Sequence, residues 1–233
     1  MNIQALGHPE LPLEDDYTNG PLEGLDPELW AMQLGLLVDR VHQSEIRRVL
    51  IEGIRRDTLI AHGTPNSTSV NTFYGAMPTP QFRLAQSTGA DAVVFLDLSR
   101  RPGPTATGLP SNHAVSLVHE LAHALNTTWG GYSVAGYSTA EQARYDSNAP
   151  EETRAWILEN MFRVERGVAA RRTYLGDMPL PPGAVPSPRN TGIPLRGRER
   201  DAVQHLRTIA PPVASRLTAL ARDRCPYNPF RHW

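Results

Sequence analysis

The centre of the chain contains two histidines and a glutamate in the segment "VSLVHELAHALN", residues 115–126. His119 and His123 are four positions apart, which places both imidazoles on the same face of a helix. Two histidines at this spacing can supply two ligands of a tetrahedral zinc site. Glu120 can hold the zinc-bound water and accept its proton. The HExxH pattern therefore predicts a catalytic zinc centre rather than an ordinary helix.

A zinc centre of this kind needs a third ligand, and the residues directly after the motif do not provide one. The metzincin pattern HExxHxxGxxH requires glycine and histidine at the positions that Asn126 and Trp129 occupy here. The later segment "APEETRAWILEN" offers Glu151, Glu152 and Glu159 on a predicted helix. Glu152 and Glu159 are seven positions apart and share a face, so one can ligate while the other supports the site. Spacing alone leaves the third ligand open among the three.

Hydrophobic periodicity, caps and breakers around these residues predict an α+β fold with one catalytic core. Predicted helices cover 26–43, 44–57, 113–126, 149–167 and 198–222, the last broken at Pro211, and predicted strands cover 58–63 and 92–98. The polar, proline-dotted stretch 64–86 predicts no regular element.

Composition divides the chain of 233 residues into three parts. Residues 1–25 are rich in proline, glycine and acidic side chains, which is typical of a flexible leader. Residues 26–178 are predicted to form the catalytic domain. Residues 179–233 are predicted to be a proline-rich spacer and a C-terminal helical region, packed on the domain or partly disordered.

Charge and hydropathy narrow the classes of partner. A net charge of -1 gives no electrostatic reason for a nucleic-acid partner, and no apolar run is long enough for a transmembrane helix. The single cysteine, Cys225, excludes an intramolecular disulfide and a cysteine-based zinc site and indicates a reducing compartment. All 23 basic residues are arginine. A GC-rich genome explains this bias, and the alternative is selection against ubiquitin attachment, which suits a bacterial protein inside a eukaryotic cell.

The order of four short motifs resembles a known family. HExxH is followed by EExR from Glu151, by ENxxR from Glu159 and by RxxY from Arg171. This order resembles the NleD-like zinc metallopeptidases, type III secreted effectors of plant- and animal-associated bacteria, and more distantly the clostridial neurotoxin light chains. The resemblance covers about residues 88–175, with a weaker match in the first two helices.

The resemblance implies a role for each matching residue. It implies that Glu152 is the third zinc ligand beside His119 and His123, with Glu120 as the general base. Glu151 is the local rival of Glu152. Further implied roles are support of a ligating histidine or of Arg171 by Glu159 and Asn160, and stabilisation of the oxyanion by Arg171 (or Arg172) and Tyr174.

The fold implied by the resemblance is zincin-like and of the gluzincin type, a small sheet packed on the HExxH helix and a downstream glutamate-bearing helix. The implied activity is that of a monomeric endopeptidase with one Zn²⁺, secreted by a type III system to cleave a host protein in the host cytoplasm. One alternative is a non-enzymatic effector or binding protein with a structural zinc. A second is a zinc hydrolase with a non-protein substrate. Glu120 argues against the first alternative, because a structural site needs no base and usually has four protein ligands.

Overall fold

The computed structural model shows a helix-dominated α+β fold. The residues that it describes are 3–5, 32, 34–37, 43–61, 67–69, 73–74, 77–78, 84–96, 98, 112–132, 150–170, 179–181, 184, 186–187 and 195–233.

Four short strands form a mixed sheet in the order β1-β2-β6-β3. These strands are β1 (Ile3–Ala5), β2 (Thr58–Ala61), β3 (Ser67–Ser69) and β6 (Ala92–Phe95), and β4 (Phe73–Tyr74) pairs with β5 (Met77–Pro78) in a separate sheet. Strands β1, β2 and β6 run parallel, whereas β3 pairs antiparallel with β6 at the sheet edge, with Thr68 opposite Val94. Ile60 and Val94 are buried, so the two central strands contribute directly to the core.

In the described part of the chain, residues 34–37 are helical and five longer helices have defined bounds. They are α1 (Glu45–Gly53), α2 (His113–Thr128), α3 (Pro150–Glu165), α4 (Leu195–Ile209) and α5 (Pro211–Ala219). Side chains cap two of them at the N-terminus: Ser44 accepts from the backbone N–H of Arg47 at 3.1 Å, and Asn112 accepts from that of Val115 at 2.9 Å. A short 3₁₀ turn, Pro229–Arg231, lies near the C-terminus.

Helix α2, which carries the HExxH motif, lies at the centre of the packing. It contacts β3 and β6 as well as α1 and α3. Twelve of its sixteen residues are buried as a result, including Leu117, Leu121 and Leu125. A helix buried on nearly all sides holds its polar side chains in fixed positions, because they have no solvent into which to turn.

The C-terminal helices share this core. Helix α4 packs on α3, and α5 packs on α1. Val203, Leu217 and Phe230 belong to the same buried apolar cluster as the leucines of α2. None of the helices in the described residues is both long and apolar enough to cross a membrane.

Several boundaries differ from those expected from the sequence. The strand predicted for 92–98 ends at Phe95, and the helix predicted for 113–126 continues to Thr128. Residues 3–5 form β1 although composition assigns 1–25 to a flexible leader, because parallel pairing with β2 requires only backbone groups. The rest of that leader lies outside the described residues.

Regular structure also occurs in the stretch 64–86, where no element was expected. Strands β3, β4 and β5 lie there. Their polar or two-residue sequences carry no alternation of apolar side chains, so backbone pairing alone defines them.

Candidate metal centre

Three side chains from two helices converge at one point. His119 and His123 come from α2 and Glu152 from the first turn of α3, and one ligand atom from each lies within 4.8 Å of the others. The two Nε2 atoms are 3.2 Å apart. Glu152 places Oε2 3.3 Å from Nε2 of His119 and Oε1 3.5 Å from Nε2 of His123.

These separations match the edges of a small coordination polyhedron. In a tetrahedral site with bonds of about 2.0–2.1 Å, neighbouring ligand atoms lie about 3.3–3.4 Å apart. The three side chains are therefore close enough together to hold a divalent cation between them. Oε2 of Glu152 is buried, with Nε2 of His119 as a neighbour at 3.3 Å. A cation between the three side chains would satisfy both atoms.

The far side of each histidine ring faces a carboxylate of α3. Nδ1 of His119 lies 3.0 Å from Oε2 of Glu159, and Nδ1 of His123 lies 3.3 Å from Oε1 of Glu151. Each carboxylate can accept a hydrogen bond from Nδ1–H, and in this tautomer the lone pair of Nε2 is directed at the centre. Two lone pairs 3.2 Å apart repel each other unless a proton or a metal ion lies between them.

The electrostatics of the cluster favour positive charge. Burial lowers the pKa of His119, but hydrogen bonds with Glu152 and Glu159 outweigh it and raise that pKa to about 9. Burial also lowers the pKa of His123, but Glu152 and Glu151 raise that pKa well above its ordinary value. Burial alone would raise the pKa of Glu152, yet the two histidines hold it below its usual range. The cluster thus attracts cations, whether protons or metal ions.

Glu120 is buried on α2 next to these ligands. Its charge is close enough to contribute to the raised pKa of His123. Glu120 is not part of the convergent group of three.

The residues proposed from the sequence are therefore distributed as follows. The geometry places Glu152 in the ligand group, whereas Glu151 and Glu159 contact the outer nitrogens of the two histidines. Asn160 is fully buried on α3 beside Glu159. Arg171, Arg172 and Tyr174 lie outside the described residues.

The backbone N–H of Leu180 donates to the carbonyl of Ala170 at 2.8 Å. The backbone carbonyl of the preceding residue, Ala169, accepts a hydrogen bond from Nη1 of Arg163 of α3 at 3.3 Å.

Three further polar residues contact the site, and the sequence interpretation gives them no individual role in it, although Arg154 and Arg163 are the arginines of its EExR and ENxxR motifs. Asn126 donates to Oε1 of Glu151 at 2.8 Å, Arg154 donates to Oε2 of Glu151 at 2.9 Å, and Arg163 donates to Oε1 of Glu159 at 2.6 Å. Arg154 and Arg163 follow their glutamates by three and four positions, which is the spacing of helical ion pairs. That spacing is the signal that would have indicated them.

The fold and the site define a class of protein: an α+β protein, rich in helix, with a His-His-Glu group able to hold a metal ion. Comparison of the chain with protein-family models, with curated proteins and with solved structures finds no match in any of the three.

Proposed function

We propose that this chain is a zinc endopeptidase of the zincin-like, gluzincin type. The observation that carries the proposal is the triangle formed by Nε2 of His119, Nε2 of His123 and the carboxylate of Glu152, with Glu120 beside it. Two imidazoles and one carboxylate are a ligand set that zinc takes at catalytic sites. The contacts of α2 with both β6 and α3 support this proposal.

The number of protein ligands favours catalysis over a structural role. The convergent group in the described residues contains three side chains, and a catalytic zinc keeps its fourth position for water or substrate. A structural zinc usually has four protein ligands and has no use for a buried carboxylate such as Glu120.

The proposed mechanism gives different residues of the chain different roles in hydrolysis. His119, His123 and Glu152 would hold the zinc ion, which would supply Lewis-acid polarisation of the scissile carbonyl. Glu120 accepts a proton from the attacking water and returns it to the leaving amine. Arg171 and Tyr174 are proposed, from the motif order, to donate to the developing oxyanion.

The proposed setting is the cytoplasm of a host cell, which the protein reaches through a type III secretion system. A chain with 23 arginines and no lysine offers no side-chain amine for ubiquitin attachment. Its one cysteine is buried and unpaired, which suits a reducing compartment. The substrate is proposed to be a host protein, bound by a monomer of this chain.

The decisive experiment compares wild type with Glu120→Gln in host-cell extract. New protein N-termini are counted by mass spectrometry, and zinc is measured in both proteins. Loss of a general base lowers the cleavage rate about 10²- to 10⁴-fold, while the zinc content stays near one per chain. Glu52→Gln, which changes an exposed carboxylate on α1, is the matched control and keeps wild-type cleavage.

Three results distinguish the proposal from its rivals. Cleavage that stops with a chelator and returns with zinc supports it. Equal cleavage by wild type and Glu120→Gln contradicts the proposed mechanism. A wild-type protein that unfolds when zinc is removed and produces no new N-termini indicates a structural metal instead.

A further inference from the structure

Two arginines of α3 donate hydrogen bonds to the carboxylates that face the outer nitrogens of the two histidines. Nε of Arg163 donates to Oε1 of Glu159 at 2.6 Å, while the other oxygen of Glu159 faces Nδ1 of His119. Nη1 of Arg154 donates to Oε2 of Glu151 at 2.9 Å, while the other oxygen of Glu151 faces Nδ1 of His123. Each histidine is therefore the end of a chain that runs from imidazole to carboxylate to guanidinium.

We propose that Arg154 and Arg163 are positioning residues of the metal centre, each of which fixes the carboxylate that orients one ligand histidine. This inference rests on the proposed zinc site and adds to it a set of residues that do not touch the metal. A fixed carboxylate preserves the Nδ1–H···O bond, and that bond fixes the direction of the Nε2 lone pair.

Charge balance supports the assignment. Glu120, Glu151, Glu152 and Glu159 are all on the two site helices, and three of them are buried. A divalent cation neutralises two of these four negative charges, and the two guanidinium groups neutralise the other two. Without the arginines the carboxylates would stay buried with uncompensated charge, which is strongly unfavourable in a protein interior.

Each arginine is itself held at a second point. Nη1 of Arg163 donates to the carbonyl of Ala169, and Nη1 of Arg154 donates to the carbonyl of Gly131, both at 3.3 Å. Both acceptors lie just beyond the C-terminal end of a helix, α3 in the first case and α2 in the second. The guanidinium groups thus connect the carboxylates that orient the histidines to backbone carbonyls near the ends of the two site helices.

The test measures zinc affinity by competition with a chromophoric chelator, on folded protein, in four variants. Arg154→Gln and Glu151→Gln are made singly and together, and Arg200→Gln removes an arginine from an exposed ion pair as the control. Loss of a carboxylate that orients a ligand weakens metal binding about 10- to 100-fold. Arg154→Gln should weaken zinc binding several-fold, less than Glu151→Gln, and Arg200→Gln should leave it unchanged.

The double variant separates positioning from a general structural role. Because Arg154 acts through Glu151, the double variant should bind zinc no more weakly than Glu151→Gln alone, so the two effects are not additive. The same cycle with Arg163→Gln and Glu159→Gln should behave in the same way, and Arg163→Lys should recover part of the loss. The visible spectrum of the Co²⁺-substituted protein should change in both arginine variants, since ligand orientation changes.

The possible failures are distinct. If wild type binds zinc and Arg154→Gln binds it equally well, the inference is wrong while the proposed function stands. Additive losses in the double variant also contradict the inference. If wild type binds no zinc, the proposed function fails and the inference fails with it. Should Arg163→Gln not fold, the Arg154 cycle decides, because the Arg154 side chain is 15% exposed and its pair is less deeply buried than that of Arg163.

Discussion

Each histidine of the HExxH motif has its two ring nitrogens in different surroundings. The outer nitrogens of His119 and His123 face carboxylates of α3, and the inner nitrogens face each other and Glu152. This arrangement leaves the inner nitrogens of both rings able to bind one metal ion together with Glu152. An imidazole with only one of these contacts would be free to rotate or to change tautomer.

His205 shows the opposite electrostatic behaviour close by. Burial and the positive charge of Arg154 lower the pKa of His205 to about 4. The unfolded chain binds this proton near pH 6.5 and the folded chain only near pH 4, so stability is lost as the pH falls through that window. In chelator-treated protein, His205→Gln should make the free energy of unfolding that is lost between pH 6.5 and pH 4 smaller by about 1–2 kcal/mol. This figure is reduced to allow for partial exposure of the ring.

Urea denaturation at several values between pH 6.5 and pH 4 measures this effect. The control is His232→Gln, which changes an exposed histidine and should keep the wild-type slope of stability against pH. Equal slopes for His205→Gln and wild type would show that His205 does not contribute to acid sensitivity.

The sequence was sufficient to predict some residues of the candidate site and not others. The spacing of His119 and His123 was sufficient to place both on one helix face, and the structure agrees. Spacing left the third ligand open, because neighbouring positions on α3 differ only in the direction in which they leave the helix. The packing of α3 on α2 decides that Glu152 turns inward while Glu151 lies behind His123.

At the scale of elements, the ends of the two site helices are closed by glycines with positive φ. Gly130 follows α2 with φ 78°, and Gly167 follows α3 with φ 66°. In both cases the backbone N–H of the next residue donates to the carbonyl five positions earlier, Gly131 to Asn126 and Val168 to Arg163. These turns end the helices directly beside the residues that support the metal ligands.

The two glycines differ in the space around them, which gives a matched pair of substitutions. A Cβ on Gly130 would lie 2.2 Å from the carbonyl oxygen of Ser87, whereas a Cβ on Gly167 meets nothing within 4 Å. Gly167→Ala should cost about 1–2 kcal/mol, the backbone cost of positive φ. Gly130→Ala should cost about 2–5 kcal/mol, because overpacking adds to that cost. Urea denaturation measures both; equal losses would mean that the loop near Ser87 does not pack as tightly as described.

Whether an element could be predicted depended on its side chains. Helix α2 and strand β2 carry apolar patterns, and Gly167 ends α3 as the sequence indicates. Strand β3 has the polar sequence Ser-Thr-Ser and exists through backbone pairing with β6, a long-range contact that no local pattern records.

At the scale of the whole molecule, one apolar core supports the candidate site from several directions. The buried cluster runs from α1 and the sheet through α2 and α3 to α4, α5 and Phe230. Arg207 donates to the carbonyls of Phe230 and Trp233 and so ties the C-terminal residues to α4. The described part of the region 195–233 therefore belongs to the structure that holds the metal ligands in place.

The central claim is that a single zinc ion is held by two histidines and one glutamate. Zinc-edge X-ray absorption on the purified chain tests it most directly, with Glu152→Gln and Glu151→Gln measured beside wild type. We expect one zinc per chain with two imidazole nitrogens and oxygen ligands, all at about 2.0–2.2 Å. Glu152→Gln should lose the metal, and Glu151→Gln should keep the same ligand set with weaker binding. Zinc bound by four protein ligands, no bound zinc, or loss of metal from Glu151→Gln but not from Glu152→Gln would contradict the account.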